Sequence, residues 1–224
     1  MKKIHHSRNV FTAAIAGLLL LGTNARSEDV VKYHAKPVGS KVTIDGTSNV
    51  HDWKVEGTLI GGFLEVPSNV VLDSSQAALA GAPDGKLKAK VMVNISIASL
   101  NNVHKYEGMD NAMQEAMHAQ DFPSIKYQVT EMTLKQPHAA ATPFQFDTKG
   151  ELSISGVTNV ISMPVSIETI EKGKLKITAS GIPVKMTDFK IKPPVKMGLF
   201  ITDPAVKISF EWVVGVSAKP ADAK

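Results

Sequence analysis

The stretch KYEGMDNAMQEAMHAQDFPSIKYQV, Lys105 to Val129, carries two periodicities with a proline between them. Met109, Met113, Ala116 and Met117 recur at i, i+4, i+7 and i+8, one face of an α-helix, while Asp110, Asn111, Gln114 and Glu115 take the other. Asp121-Phe122-Pro123 stops that helix, because proline lacks an N–H and biases the residue before it away from helical dihedrals. Ile125, Tyr127 and Val129 then alternate with Lys126, Gln128 and Thr130, the period of a half-buried strand. The pattern predicts one short helix near residues 107–119 running into a strand. Nearly every other regular stretch reads as strand, so the helix is expected as a lid or plug on a β-structure.

Upstream, His51, Trp53, Val55, Gly57 and Leu59 share one face of a strand, with Asp52, Lys54, Glu56 and Thr58 on the other. Leu87 to Ser99 reads as the longest strand, Leu87, Ala89, Val91, Val93, Ile95 and Ile97 pointing inward. Downstream, Phe144, Phe146, Leu152 and Ile154 mark a strand that turns at Gly156 to Asn159 into Val160 to Ile170. Leu175, Ile177 and Ala179 follow, then a loop from Asp188 to Pro204, then a last strand with Val206, Ile208, Phe210, Trp212 and Val214. Eight or nine strands joined mostly by tight turns, with no strand–helix alternation, give an all-β protein: an antiparallel barrel or a highly curved sandwich. The outward lysines, asparagines and glutamates would be costly in lipid, which argues against an outer-membrane barrel.

The chain ends are read separately. Lys2, Lys3 and Arg8 precede an apolar run from Val10 to Leu21, with small residues at Thr23 and Ala25, so residues 1–25 are expected to be a cleaved signal peptide and the protein periplasmic. Cleavage falls after Ala25 or Ser27, and the run is too short to span a membrane. Residues 26–40 are expected as a flexible lead-in, 41–216 as the barrel domain and 217–224 as a polar tail. Removing residues 1–25 leaves 22 basic against 21 acidic residues, a charge of +1, and no basic stripe that would suit a nucleic acid. With no cysteine in the chain, thiolate metal sites and disulfide stapling are excluded and stability must come from a packed core.

Catalytic signatures are missing: the sequence has no HExxH, GxSxG or phosphate-binding glycine loop, and its carboxylates fall on outward strand positions. The expectation is a non-enzyme without a cofactor. Met109, Met113, Met117 and His118, with His104 nearby, are soft enough ligands for copper(I), which would make the protein an envelope metal or redox partner. The competing reading, flexible apolar filler packed on the barrel, is preferred, and no metal ligand is assigned. His51 is either a hydrogen-bonded core residue or one of a few polar groups orienting a ligand.

The order of several motifs resembles the YceI-like family of bacterial periplasmic proteins. They are Asp45 to Trp53 (DGTSNVHDW), Val55 to Leu59 (VEGTL), the helix followed by Asp121 to Tyr127 (DFPSIKY), Gly150 to Val160 (GELSISGVTNV) and Asp203 to Trp212 (DPAVKISFEW). The resemblance spans Val42 to Val214. It implies an extended, lipocalin-like, eight-stranded antiparallel barrel whose hollow interior holds a polyisoprenoid or quinone-type lipid without catalysis. The lining expected on that basis is His51, Trp53, Val55, Val91, Val93, Ile95, Met113, Met117, Phe122, Tyr127, Phe146, Phe210 and Trp212. The partner expected is an isoprenoid or other amphiphilic lipid, with a homodimer left open. A barrel filled by its own side chains, serving an interaction role, is the third alternative.

Overall fold

In a computed structural model, residues 29–216 are described, apart from 107, 136, 197 and 198. The signal-peptide and tail readings fall outside these residues. Inward and outward alternation builds the strands, and β8 (Phe144–Ile154) shows it most clearly. Phe144, Phe146, Thr148, Gly150, Leu152 and Ile154 are buried, whereas Gln145, Asp147, Lys149 and Glu151 are exposed. Ser155 and Gly156, both at positive φ, then form the two-residue turn that matches the twist of a hairpin and deliver β9 (Val157–Glu171).

The remaining strands are β1 (Val30–Ala35), β2 (Lys41–Ser48), β3 (Asp52–Gly57), β4 (Ile60–Pro67), β5 (Lys90–Ser96), β6 (Asn101–Asn102), β7 (Ser124–Leu134), β10 (Lys174–Lys185), β11 (Val195–Lys196) and β12 (Phe200–Val216). Antiparallel pairing runs β1-β4-β5-β7-β8-β9-β10-β12, and β12 returns to β1 through Tyr33 opposite Val216, closing an eight-stranded barrel. The other strands branch from the same edge of β12: residues 202–211 pair with β2, which carries β3 and then β6. One half of the barrel wall is therefore completed by β1 and β4, the other by β2 and β3.

The β1–β4 half is filled. Leu64, Val66, Phe144, Phe146 and Val214 have no exposed surface, and Ile167, Leu175 and Trp212 have almost none. Val70, Leu72, Leu79, Ala82 and Leu87, from the long excursion between β4 and β5, are buried in the same core. Thr169 of β9 pins this excursion, donating from Oγ1 to the Leu72 carbonyl at 2.7 Å while its N–H reaches Ser74 Oγ at 3.1 Å. Burial raises the Tyr127 phenol above its ordinary pKa. Thr148 commits its hydroxyl proton to the Met163 carbonyl (2.9 Å), so the Tyr127 hydroxyl, 3.4 Å away, is the donor in that pair.

Helix α1 (Met109–Ala116) is shorter than the predicted 107–119. Gly108 at φ 72° sets its start, and His118 at φ 50° follows Met117 at its end, so the chain has left helical geometry before Pro123. Buried Asn102 anchors it: Asp110 Oδ1 accepts from Asn102 N–H (2.7 Å) and Nδ2 (3.0 Å), and Asn102 Oδ1 accepts from Tyr106 N–H (2.7 Å).

Three other sequence expectations are corrected. The lead-in 26–40 contains β1, whose Val31, Tyr33 and Ala35 alternate with Lys32 and His34. Pro37 and Gly39 punctuate the chain just after it, but six residues paired only with distant segments gave no local warning of that pairing. Leu87 to Ser99 is not one long strand: β5 begins at Lys90 and gives way to a 3₁₀ turn at Ile97–Ser99, and the 17-residue β12 is the longest. The loop from Asp188 to Pro204 holds the end of a 3₁₀ turn (Met186–Phe189), β11 and the start of β12.

Candidate functional site

The β2–β3 half of the barrel is hollow. Ile44, Val55, Ile125, Ile154, Val184, Val206 and Ile208, inward residues of six strands, line a chamber of about 660 Å³. α1 roofs it with Met109, Ala112, Met113, Ala116 and Met117, all at helical spacing on one face. The segment after β10 closes another side with Met186, Phe189, Ile191, Pro194 and Val195. This chemistry is apolar and deformable: four methionines are among the walls, and a thioether chain adapts its shape to an irregular guest.

Polar groups gather at one end. Ser48, His51, Tyr106 and Thr202 border the chamber there. His51 Nδ1 lies 2.9 Å from the Asp52 carbonyl, which can only accept, so Nδ1 carries a proton and, in the neutral ring, Nε2 is left as an acceptor. Its ring packs tilted against Tyr106, centroids 4.9 Å apart, and Tyr106 meets His104 at 5.5 Å. Trp53 is held flat over Gly46, its Nε1 donating to the Thr47 carbonyl at 3.0 Å. A second, wider and more charged hollow of about 980 Å³ borders the β2–β3 hairpin, with Asp45, Asp52, Lys54, Lys185, Asp188, Asp203 and Lys207 around it. Trp53, Val184, Phe189 and Val206 border both.

Of the lining expected from sequence, the structure brings His51, Trp53, Val55, Met113 and Met117 to the chamber. His51 is exposed at its rim rather than facing inward on a strand, because β3 begins one residue later. Val91 is packed in the core, and Val93, Ile95 and Phe210 are half-buried without reaching the chamber wall. Tyr127, Phe146 and Trp212 belong to the packed interior, and Phe122 packs on the Gly156 turn, 41% exposed. Phe189, Ile191, Pro194 and Val195 were missed as walls because Asp188 to Pro204 reads as a loop, and Val184 and Met186, at the end of the strand before it, were not assigned to the lining. The alternation of Ile182 and Val184 with Pro183 and Lys185 was the available signal. His104 and His118 are not chamber walls, and among the described residues no group of three or more His, Asp or Glu side chains is placed to hold a metal ion. Among the same residues no helix is long and apolar enough to cross a membrane.

A closed antiparallel barrel with one roofed apolar chamber and a short polar rim defines a lipocalin-like binding fold. Residues 33–214 match the YceI-like domain, and the chain belongs to that family. Two solved structures share the fold. That of Burkholderia cenocepacia BcnA aligns with a TM-score of 0.58 at 15% identity, over 80% of this chain and 98% of the other. A polyisoprenoid-binding domain from Saccharophagus degradans, implicated in plant cell wall breakdown, aligns with a TM-score of 0.60 at 11% identity, over 84% and 99%. No curated protein matches the sequence.

Proposed function

We propose that this protein is a non-catalytic periplasmic lipid carrier that holds an isoprenoid or quinone-type amphiphile in the chamber, its tail among the methionines and its polar end at His51 and Tyr106. The observation that carries this reading is the roofed apolar chamber opening on a short polar rim. The family, and the polyisoprenoid binding of the similar Saccharophagus degradans domain, support it. At about 30 Å³ per non-hydrogen atom, the share a water takes in the liquid, the 660 Å³ hold about 20 atoms, three to four five-carbon units. Burial at about 0.8 kcal/mol per methylene gives a fifteen-carbon tail about 12 kcal/mol gross. An association cost of at least about 4 kcal/mol leaves at most about 8 kcal/mol, micromolar at the tightest. His51 Nε2 is a fitting acceptor for a hydroxyl on the head.

The test is native mass spectrometry of the mature protein from the periplasm, followed by organic extraction. A fixed excess mass that extracts as an isoprenoid lipid is expected. A bare mass, unchanged after incubation with isoprenoid alcohols and quinones, would overturn the reading.

A further inference from the structure

The rim next to the chamber has a composition of its own. From Lys185 to Ile201 the sequence holds four lysines and one aspartate, and Lys185, Lys190 and Lys192 are exposed. Beyond them Val195, Leu199 and Ile201 stand 57%, 71% and 53% exposed, with Val50 at 56%. These four are neighbours. Val195 faces Ile201 across the β11–β12 hairpin. Asn49, beside Val50, donates from Nδ2 to the Leu199 carbonyl (2.9 Å) and accepts from the Ile201 N–H (2.8 Å), while its own N–H reaches the Ile201 carbonyl (3.1 Å). Three hydrogen bonds thus fix apolar side chains that face solvent, where a monomer gains nothing from holding them. Val195 is also a chamber wall, so the patch is continuous with the chamber. The acidic groups nearby are Asp52, Asp188 and Asp203, and Asp203 accepts from the Ala205 N–H at 2.7 Å.

We propose that this patch is a membrane-docking tip. Val50, Val195, Leu199 and Ile201 enter the headgroup region of an anionic phospholipid bilayer, and Lys190 and Lys192 meet its phosphates. An amphiphile then passes between bilayer and chamber without crossing water, a purpose that rests on the lipid-binding reading, although the docking itself does not. Apolar area and cationic flanks are the two terms that bind a protein to a membrane surface. The lysines also set the choice of occupant: two copies of this rim would repel, whereas an anionic surface gains about fivefold in binding per lysine.

The test uses the full mature protein and sedimentation with vesicles of phosphatidylcholine, alone or mixed with phosphatidylglycerol. Binding to the anionic vesicles, weakening with salt and at least about tenfold above the neutral ones, is expected. Leu199→Ser with Ile201→Ser should abolish it, and Lys190→Gln with Lys192→Gln should weaken it about 25-fold. Both variants should keep wild-type affinity for farnesol in solution, since none of these residues lines the chamber. Equal binding to both vesicle types, or variants that dock like wild type, overturns the proposal. A chain that sediments with neither also overturns it and leaves the patch to a protein partner. Farnesol binding by no form, with docking intact, would sink the lipid-carrier reading alone.

Discussion

Gly46→Ala is the sharpest probe of the chamber wall. Gly46 sits on β2 opposite Trp53, in extended backbone that alanine tolerates, so its reason for being glycine is space. A Cβ there would lie 2.1, 2.4 and 2.6 Å from Trp53 Cζ2, Cε2 and Cη2. Ordinary carbon contacts begin at about 3.5 Å, so the indole must retreat by more than about 1 Å. That breaks its hydrogen bond to the Thr47 carbonyl and pushes the ring into the chamber. Overpacking costs about 1–3 kcal/mol and the lost bond about 1 kcal/mol, together about 2–4 kcal/mol. For a chain of this length that is a fall in Tm of about 5–15 °C. The assay is urea unfolding of a double-mutant cycle with Trp53→Ala. In the Trp53→Ala background Gly46→Ala should cost less than about 0.5 kcal/mol, so the coupling should equal nearly the whole single-mutant effect. The chain has two tryptophans. In a Trp212→Phe background Trp53 emission alone should report the displaced ring. A Gly46→Ala protein as stable as wild type, with unchanged emission, would refute the argument.

Three further outcomes follow from the same geometry. Trp212 is 1% exposed and its Nε1 has no partner among the described residues, so Trp212→Phe, which deletes that donor and keeps a ring, should cost far less than the about 3–5 kcal/mol expected of Trp212→Ala; comparable losses on urea unfolding would contradict the packing described. Because burial raises the Tyr127 phenol, the folded chain holds its proton after the unfolded chain has lost it, so this group's contribution to stability is full below pH 10 and declines above it, alongside that of Tyr33, which burial also raises. Tyr127→Phe should flatten that decline, and an unchanged alkaline slope would count against it. Met113 is half-buried on a helix with no buried residue of its own, so Met113→Asp should cost less than about 1 kcal/mol in folding yet weaken isoprenoid capture at least tenfold, read by farnesol titration.

Period-two alternation made most of the barrel legible. Phe144 to Ile154 could be assigned inward and outward faces residue by residue, and Met109 to Met117 gave the roof by helical spacing alone. Alternation states which face a side chain takes but not the level at which it sits. Val55 and Val91 look alike in sequence, yet one meets the hollow and the other the core, because the number of side chains converging at each level depends on which strands complete the wall there. Phe122 follows the same logic: its ring covers a turn formed more than thirty residues later, where a Gly156 Cβ would lie 2.5 Å from Phe122 Cζ. β1 was illegible for a related reason, since its partners are residues 63–67 and 214–216, and nothing within six residues announces them.

β12 runs from the rim to the packed end, and its single edge meets β2 in one half and β1 in the other. One continuous strand therefore joins a region that supplies the stability to a region relieved of that duty. Substitutions around the hollow remove few close contacts, while Phe146, Trp212 and Val214 keep the barrel closed. The guest the chamber accepts is thereby free to drift over evolution faster than the fold that holds it.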